Sequence, residues 1–247
     1  MAMRSLLWLS ALCLLAPPCG AQQPREYRCR RAPGPVLIDG YLFDSGWRAA
    51  EPTSLDYLIC PELKQGATVE MPRTRVWAAW DDDYLYVAFL ARDTDAWATK
   101  RSFDDSLWEE DVVEVYVDPD GDQRDYREFE VNPLGTIIDL LIPRAGDQAD
   151  WRKCAAWNAV GMKAAARVFG EGAAIKTWDR FWTAEMAIPW SAFVGAPHLP
   201  PHPGDRWRGQ FFRIDRPAEP HELLCLAWSP TPTFHSPEHF GWWVFEE

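Results

Sequence analysis

Ser106 to Asp122 reads SLWEEDVVEVYVDPDGD, and this stretch decides the fold. Val113, Val115 and Val117 fall on one parity while Glu114, Tyr116 and Asp118 fall on the other, the period-two alternation of a strand with one core face and one polar face. Trp108 stands just before the strand, Glu114 lies inside it on the polar face, and the carboxylate-rich turn DPDGD closes it. Together they offer an aromatic platform, a hydrogen-bond acceptor and a candidate cation loop.

Working outward, the same pattern recurs. Thr74 to Asp93 (TRVWAAWDDDYLYVAFLARD) holds two apolar runs around Asp81 to Asp83 and predicts a β-hairpin whose second strand, apolar on both faces, is central in a sheet. DYREFEVNPLGTIIDLLIP, from Asp125, predicts a strand pair with a turn near Asn132 to Gly135, Phe129 and Val131 opposing Glu128, Glu130 and Asn132. WTAEMAIPW sets Trp182, Ala184, Met186 and Ile188 inward and Glu185 outward, and RWRGQFFRIDRP, ELLCLAWSP and FGWWVFEE supply further strands. Upstream, VLIDGYLFDSGWRAAEP predicts a short apolar strand from Val36, a turn at Asp39-Gly40 and a helical turn ending before Pro52. Short strands, heavy turn chemistry and almost no helical periodicity predict an all-β antiparallel sandwich of jelly-roll type with few short helices.

Of 247 residues, 47% are apolar and 25% charged, which suits a globular domain and argues against disorder. The formal charge of -12 argues against a nucleic-acid backbone or an anionic membrane surface as partner. Met1 to Ala21, with Arg4 and then LLWLSALCLLA, has the pattern of a signal peptide cut near Ala21; the expected mature chain is exported, periplasmic or extracellular. A lipid anchor on Cys19 is the competing reading, which Pro17 and Pro18 disfavour. Residues 22–35 then read as a polar lead-in and 36–247 as the domain. Cys29, Cys60, Cys154 and Cys225 form no CxxC pair, and three full disulfide pairings are open to them.

In order, IDGYLFDSGW, WDDDYLYVAFLARD, LWEEDVVEVYVDPDGD, YREFEVNPLG, WTAEMAIPWSAF, FFRIDRP and AWSPTPTFHSPEHFG resemble the family 9 carbohydrate-binding modules and their DOMON-like relatives, over Val36 to Phe245. The resemblance implies a β-sandwich that holds a mono- or oligosaccharide, or a polysaccharide chain end, between two aromatic side chains, with structural calcium. It makes Trp108 the first aromatic plate, Glu114 the carboxylate that receives sugar hydroxyls and Phe234 the second plate. The chain departs from the family's pattern in carrying Phe234 where the best-known binders have Trp, Glu130 where they have a basic residue, and Thr231 at the amide position. A pyranose with apolar faces and a polar rim suits two rings and a planar acceptor.

Plainer readings stand beside these. Trp108 can be core; Phe234, between Pro232 and Pro237, can be lid or plug; Glu114 and Glu130 can be solvated or paired with Arg213, itself a candidate ligand group. Asp118, Asp120 and Asp122 have the oxygen density and glycine turn of a calcium loop without the terminal Glu of an EF-hand, and a solvated turn is the alternative. The acid pairs Glu109–Glu110 and Glu114–Glu130 could suggest a glycosidase, but a chain with 37 acidic residues produces such pairs readily, and no GxSxG, HExxH or Cys/His constellation accompanies them. The expectation is non-catalytic sugar binding, any hydrolysis coming from a glycoside hydrolase partner. Two alternatives are an orphan interaction module with a degenerate sugar site and a haem-binding electron-transfer domain. Haem would draw an axial ligand from Met71, Met162 or Met186.

Overall fold

Alternating apolar and polar residues give strands, and here they give little else. The structure, a computed structural model, describes residues 23–59, 71–173, 179–216 and 223–247. Its strands are β1 (Glu26–Arg31), β2 (Thr53–Ser54), β3 (Tyr57–Leu58), β4 (Thr74–Trp80), β5 (Tyr84–Arg92), β6 (Val112–Asp118), β7 (Arg124–Val131), β8 (Ile137–Arg144), β9 (Lys163–Gly170), β10 (Asp179–Pro189), β11 (Arg206–Asp215), β12 (Leu224–Ala227) and β13 (Gly241–Glu246). A single short α-helix, α1 (Trp151–Cys154), and several 3₁₀ turns join them among the described residues. None of the described helices is long and apolar enough to cross a membrane. The proposed signal segment lies outside the described residues.

The strands run in the order β8-β7-β6-β11-β13-β1-β4-β5-β10-β9, with β12 and β3 continuing from the far half of β11. This one sheet folds over on itself, and the interior is filled by side chains of one parity from both halves: Val113, Val115 and Val117 of β6, Phe129 and Val131 of β7 and Phe211 of β11 against Val76, Val87, Phe89, Trp182, Ala184, Met186 and Ile188. Gly209 and Gly241 face each other across β11 and β13, and a Cβ at Gly209 would lie 2.3 Å from the Trp243 ring, so the small residue is what lets that ring lie on the strand.

The all-β class and the two predicted hairpins are found: β4 turns to β5 at Asp81 to Asp83, and β7 turns to β8 where Gly135 takes a positive φ of 79°. Three local readings are corrected. The lead-in at residues 22–35 contains β1, which pairs in parallel with both β13 and β4, so the sheet is mixed and not purely antiparallel. Tyr27 and Cys29 point into the core, and two inward residues among arginines gave too faint an alternation to read. Val36 to Ile38 are not a strand. That segment wraps the outer face of β10, where Asp39 N, Gly40 N and Trp47 Nε1 donate to the Glu185 carboxylate. Glu185 is thereby outward but buried, and burial pushes its pKa up to about 7 against those three donors.

Cys29 and Cys154 are buried thiols on different faces of the sheet, Cys29 in the interior and Cys154 in the outer cluster, and Cys60 lies outside the described residues.

Candidate functional site

On β6 and β7 the outer face is the polar parity of the sequence, yet the fold buries it beside apolar outer residues of β8 and β11. A second apolar cluster covers it: Leu107, Tyr116, Tyr126, Ile138, Leu140, Ile142, Phe212, Ile214 and Phe240, with Trp108, Trp151 and Phe234 half-buried at its margin. Within this layer lies a cavity of about 380 Å³, a volume typical of small-ligand pockets.

Its floor is acidic. Glu114 on β6 faces Glu130 on β7, and Tyr116 faces Glu128 one step along the ladder. The three carboxylates bring oxygens within 4.8 Å of one another, and Glu114, Glu128 and Glu130 are only 1%, 4% and 1% exposed. In each of them Oε2 has no hydrogen-bond partner among the described residues. Burial first, and then the charge of Glu128, hold the Glu114 carboxyl well above the usual carboxylate range; burial and then Glu114 raise Glu130 in the same way. The Tyr116 hydroxyl is raised by burial and by these neighbouring acids.

The walls are aromatic and come from three connections. Trp108 sits in the 3₁₀ turn Leu107–Glu109, whose backbone is pinned from several sides. Leu107 is buried beneath it, Arg216 Nε donates to the Trp108 carbonyl at 2.8 Å, Lys100 pairs with Glu109 at 2.8 Å, and the Glu110 carboxylate accepts the N–H groups of Thr99 and Lys100. Trp151, at the start of α1, meets Trp108 edge-to-face at 5.0 Å. Phe234 arrives on the connection between β12 and β13, packed on Phe212 at 4.8 Å. Beside it the ring of His235 hydrogen-bonds the Tyr126 hydroxyl through Nδ1 at 3.0 Å, and burial lowers the His235 pKa. Gln148, Thr233, Leu140 and Ile214 complete the lining.

Of the residues singled out from sequence, Trp108, Glu114, Glu130 and Phe234 therefore meet in one cavity. Two do not. Arg213 shares the parity of Phe211 and points away from the glutamates; fully buried, it bonds Asp93 Oδ2 at 2.6 Å and lies 3.3 Å from Asp215. Its alternation on β11 against Phe212 and Ile214 rules out the Glu114 or Glu130 pairing. Thr231 is not in the lining; its hydroxyl turns back on the Thr233 carbonyl at 2.7 Å, and Thr233 borders the cavity in its place. The glutamates themselves are not solvated, because the connections carrying Trp151 and Phe234 close over them.

Sequence reasoning missed Glu128, Tyr116 and Trp151. The first two were visible as same-parity neighbours of Glu130 and Glu114. Trp151 gave only the signal of a large ring in a polar segment, GDQADWRKC.

Asp118, Asp120 and Asp122 do converge, with carboxylate oxygens within 4.8 Å. Asp118 accepts from Gly121 N at 3.0 Å and Gln123 N at 2.9 Å, and Asp122 accepts from Arg124 N at 2.8 Å. Hard carboxylate oxygens are the donors calcium takes, and the same oxygens also close the turn. Asp118 is buried, and that burial lifts its pKa to about 6.

A family model described as Carbohydrate-binding family 9 matches residues 57–245. Endo-1,4-beta-xylanase A of Thermoanaerobacterium saccharolyticum is 38% identical over 161 residues, which are 65% of this chain and only 11% of that enzyme. Among solved structures, a putative carbohydrate-binding protein from Bacteroides uniformis superposes with a TM-score of 0.69 at 21% identity, over 91% of this chain and 100% of the other. A family 9 module from Caldicellulosiruptor kristjanssonii in complex with cellotriose gives 0.62 at 16% identity, over 90% of this chain and 94% of the other. A glucose complex from the same organism gives 0.61 at 17% identity, over 89% of this chain and 95% of the other. At these identities the structural likeness establishes the fold.

Proposed function

The chain belongs to carbohydrate-binding family 9, and from that premise we propose that it binds a mono- or oligosaccharide, or a polysaccharide chain end, in the cavity floored by Glu114, Glu128 and Glu130, without cleaving it. One observation carries the reading: carboxylates that are nearly fully buried, each with an unpartnered oxygen, line a cavity whose margins are rings. An unmet buried acceptor costs about 1–3 kcal/mol. Sugar hydroxyls are donors that can meet it, while Trp108, Trp151 and Phe234 cover the apolar ring faces. The cellotriose and glucose complexes of family members support the ligand class.

The non-catalytic reading rests on the placement of the acids. A glycosidase flanks the scissile bond with carboxyls roughly 5–10 Å apart. Here all three lie side by side on adjacent strands of one floor and do not stand on two sides of a bound sugar. The xylanase relative supports a role beside polysaccharide breakdown, with hydrolysis supplied by a separate catalytic partner. Export through the Met1 to Ala21 segment and a structural calcium at Asp118, Asp120 and Asp122 complete the proposal.

Trp108→Ala tests the site. In affinity electrophoresis and calorimetry against glucose, cello-oligosaccharides and a wider glycan set, wild type binds and the variant loses about tenfold or more, since one ring stacked on a ligand contributes on the order of 1–2 kcal/mol. Unchanged binding by a folded Trp108→Ala protein would reject this cavity, and a wild type that retains no glycan would reject sugar binding itself.

A further inference from the structure

The cavity is built for more positive charge than a neutral sugar brings. Three glutamates line it and, among the described residues, no lysine or arginine does. The nearby guanidinium groups are engaged at its rim: Arg152 lies over the Trp151 ring at 4.4 Å, and Arg216 holds the Trp108 carbonyl. No described ion pair includes Glu114, Glu128 or Glu130. Buried acids with unpaired oxygens are held toward their neutral forms unless a counter-charge enters.

We propose that the preferred ligand is an amino sugar with a free, protonated amine, its ammonium seated among the Oε2 atoms of Glu114, Glu128 and Glu130 and its ring against the aromatic walls; this rests on the sugar-binding reading above. The match is one of number and kind. A primary ammonium carries three N–H donors and no acceptor, and the floor offers three acceptors without donors. A quaternary ammonium would suit the rings but leave every one of those oxygens unmet. A divalent cation would take the carboxylate oxygens and leave the rings of Trp108, Trp151 and Phe234 without a partner. An ammonium uses both halves of the cavity.

The test is calorimetry of the whole chain, freed of metal with chelator, against three oligosaccharides of equal length: a chito-oligosaccharide with free amines, its fully N-acetylated form and the cello-oligosaccharide. The free-amine ligand binds at least about tenfold tighter than either neutral one. Glu128→Gln and Glu114→Gln, each checked by melting curve first, shrink that advantage by about tenfold. If a neutral sugar binds as tightly as the amine, the inference falls and the sugar-binding reading stands. If no oligosaccharide binds, both fall. An amine preference that survives in both glutamine variants belongs to the acidic surface and overturns the assignment, and so does calcium binding that Glu128→Gln abolishes, because it would give the floor to a metal.

Discussion

Two buried acidic clusters occupy opposite faces of the sheet, and they differ in how they are completed. Asp93, Asp111 and Asp215 gather three carboxylates within 4.8 Å at the edge of the interior, as Glu114, Glu128 and Glu130 do on the outer face. The first cluster contains its own cation. Arg213 lies among the aspartates, donates to Asp93, and is anchored by the Arg92 carbonyl and the Thr74 hydroxyl. Backbone N–H groups of Trp97 and Arg216 take both oxygens of Asp111. The second has no charge partner among the described residues and a cavity in front of it. A cluster of acids is a structural part when the chain supplies the donors, and a binding floor when it leaves them to a ligand.

The strongest test of this contrast is Arg213→Met. It keeps the stem's bulk and leaves the aspartates without their buried counter-charge, and the expected loss is about 3–5 kcal/mol of unfolding free energy in urea titration at neutral pH. The pocket should behave with the opposite sign. In the Glu114→Gln/Glu130→Gln double variant an amide can donate to a neighbouring Oε2, and repulsion falls, so stability without ligand holds or rises by about 1–3 kcal/mol. A loss comparable to that of Arg213→Met would show the floor to be structural after all.

The same variant has a pH signature. Glu114 and Glu130 are raised in the folded state, so above the ordinary glutamate range near 4.5 the native protein holds more protons than the unfolded chain. Their contribution is present at low pH and lost as pH rises through the folded values. Of the groups facing them, Tyr116 and Tyr126 titrate far above this window, Glu128 shares the floor, and His235, lowered by burial, contributes the reverse slope around 6.5. Asp93 at about 6 and Glu185 at about 7 slope the same way as the pocket acids in both proteins. Melting temperature in wild type therefore falls from pH 5 to 8 more steeply than in the double variant, and parallel profiles would count against the raised glutamates.

The legible part of the molecule was its period-two text. β6, β7 and β10 alternate cleanly because one parity meets the interior, so the polar face that Glu114 and Glu130 share could be read from the sequence. What could not be read was anything decided by a second layer. A polar parity says solvent unless something covers it, and the covers are the residue 36–47 segment over Glu185 and the connections bearing Trp151 and Phe234 over the glutamates. Arg213 was taken for a ligand group on its charge, although its parity on β11 already placed it with Phe211.

A third cluster makes the comparison finer and carries the smallest expected effect. Asp118, Asp120 and Asp122 lie between the two extremes: Asp118 is buried, its partners are exposed, and the oxygens of Asp118 and Asp122 accept N–H groups of their own loop. Calcium here would add to a turn already closed. Ten times the dissociation constant of a single site is worth about 1.4 kcal/mol, or roughly 3–6 °C in a domain of this size. The shift should vanish in Asp120→Asn/Asp122→Asn while sugar binding at the glutamate floor stays intact. If neither a heat of binding nor a melting shift follows calcium addition to chelator-treated protein, the loop is a self-sufficient turn. The glutamate floor would then be the one acidic group of the three that is open to a ligand.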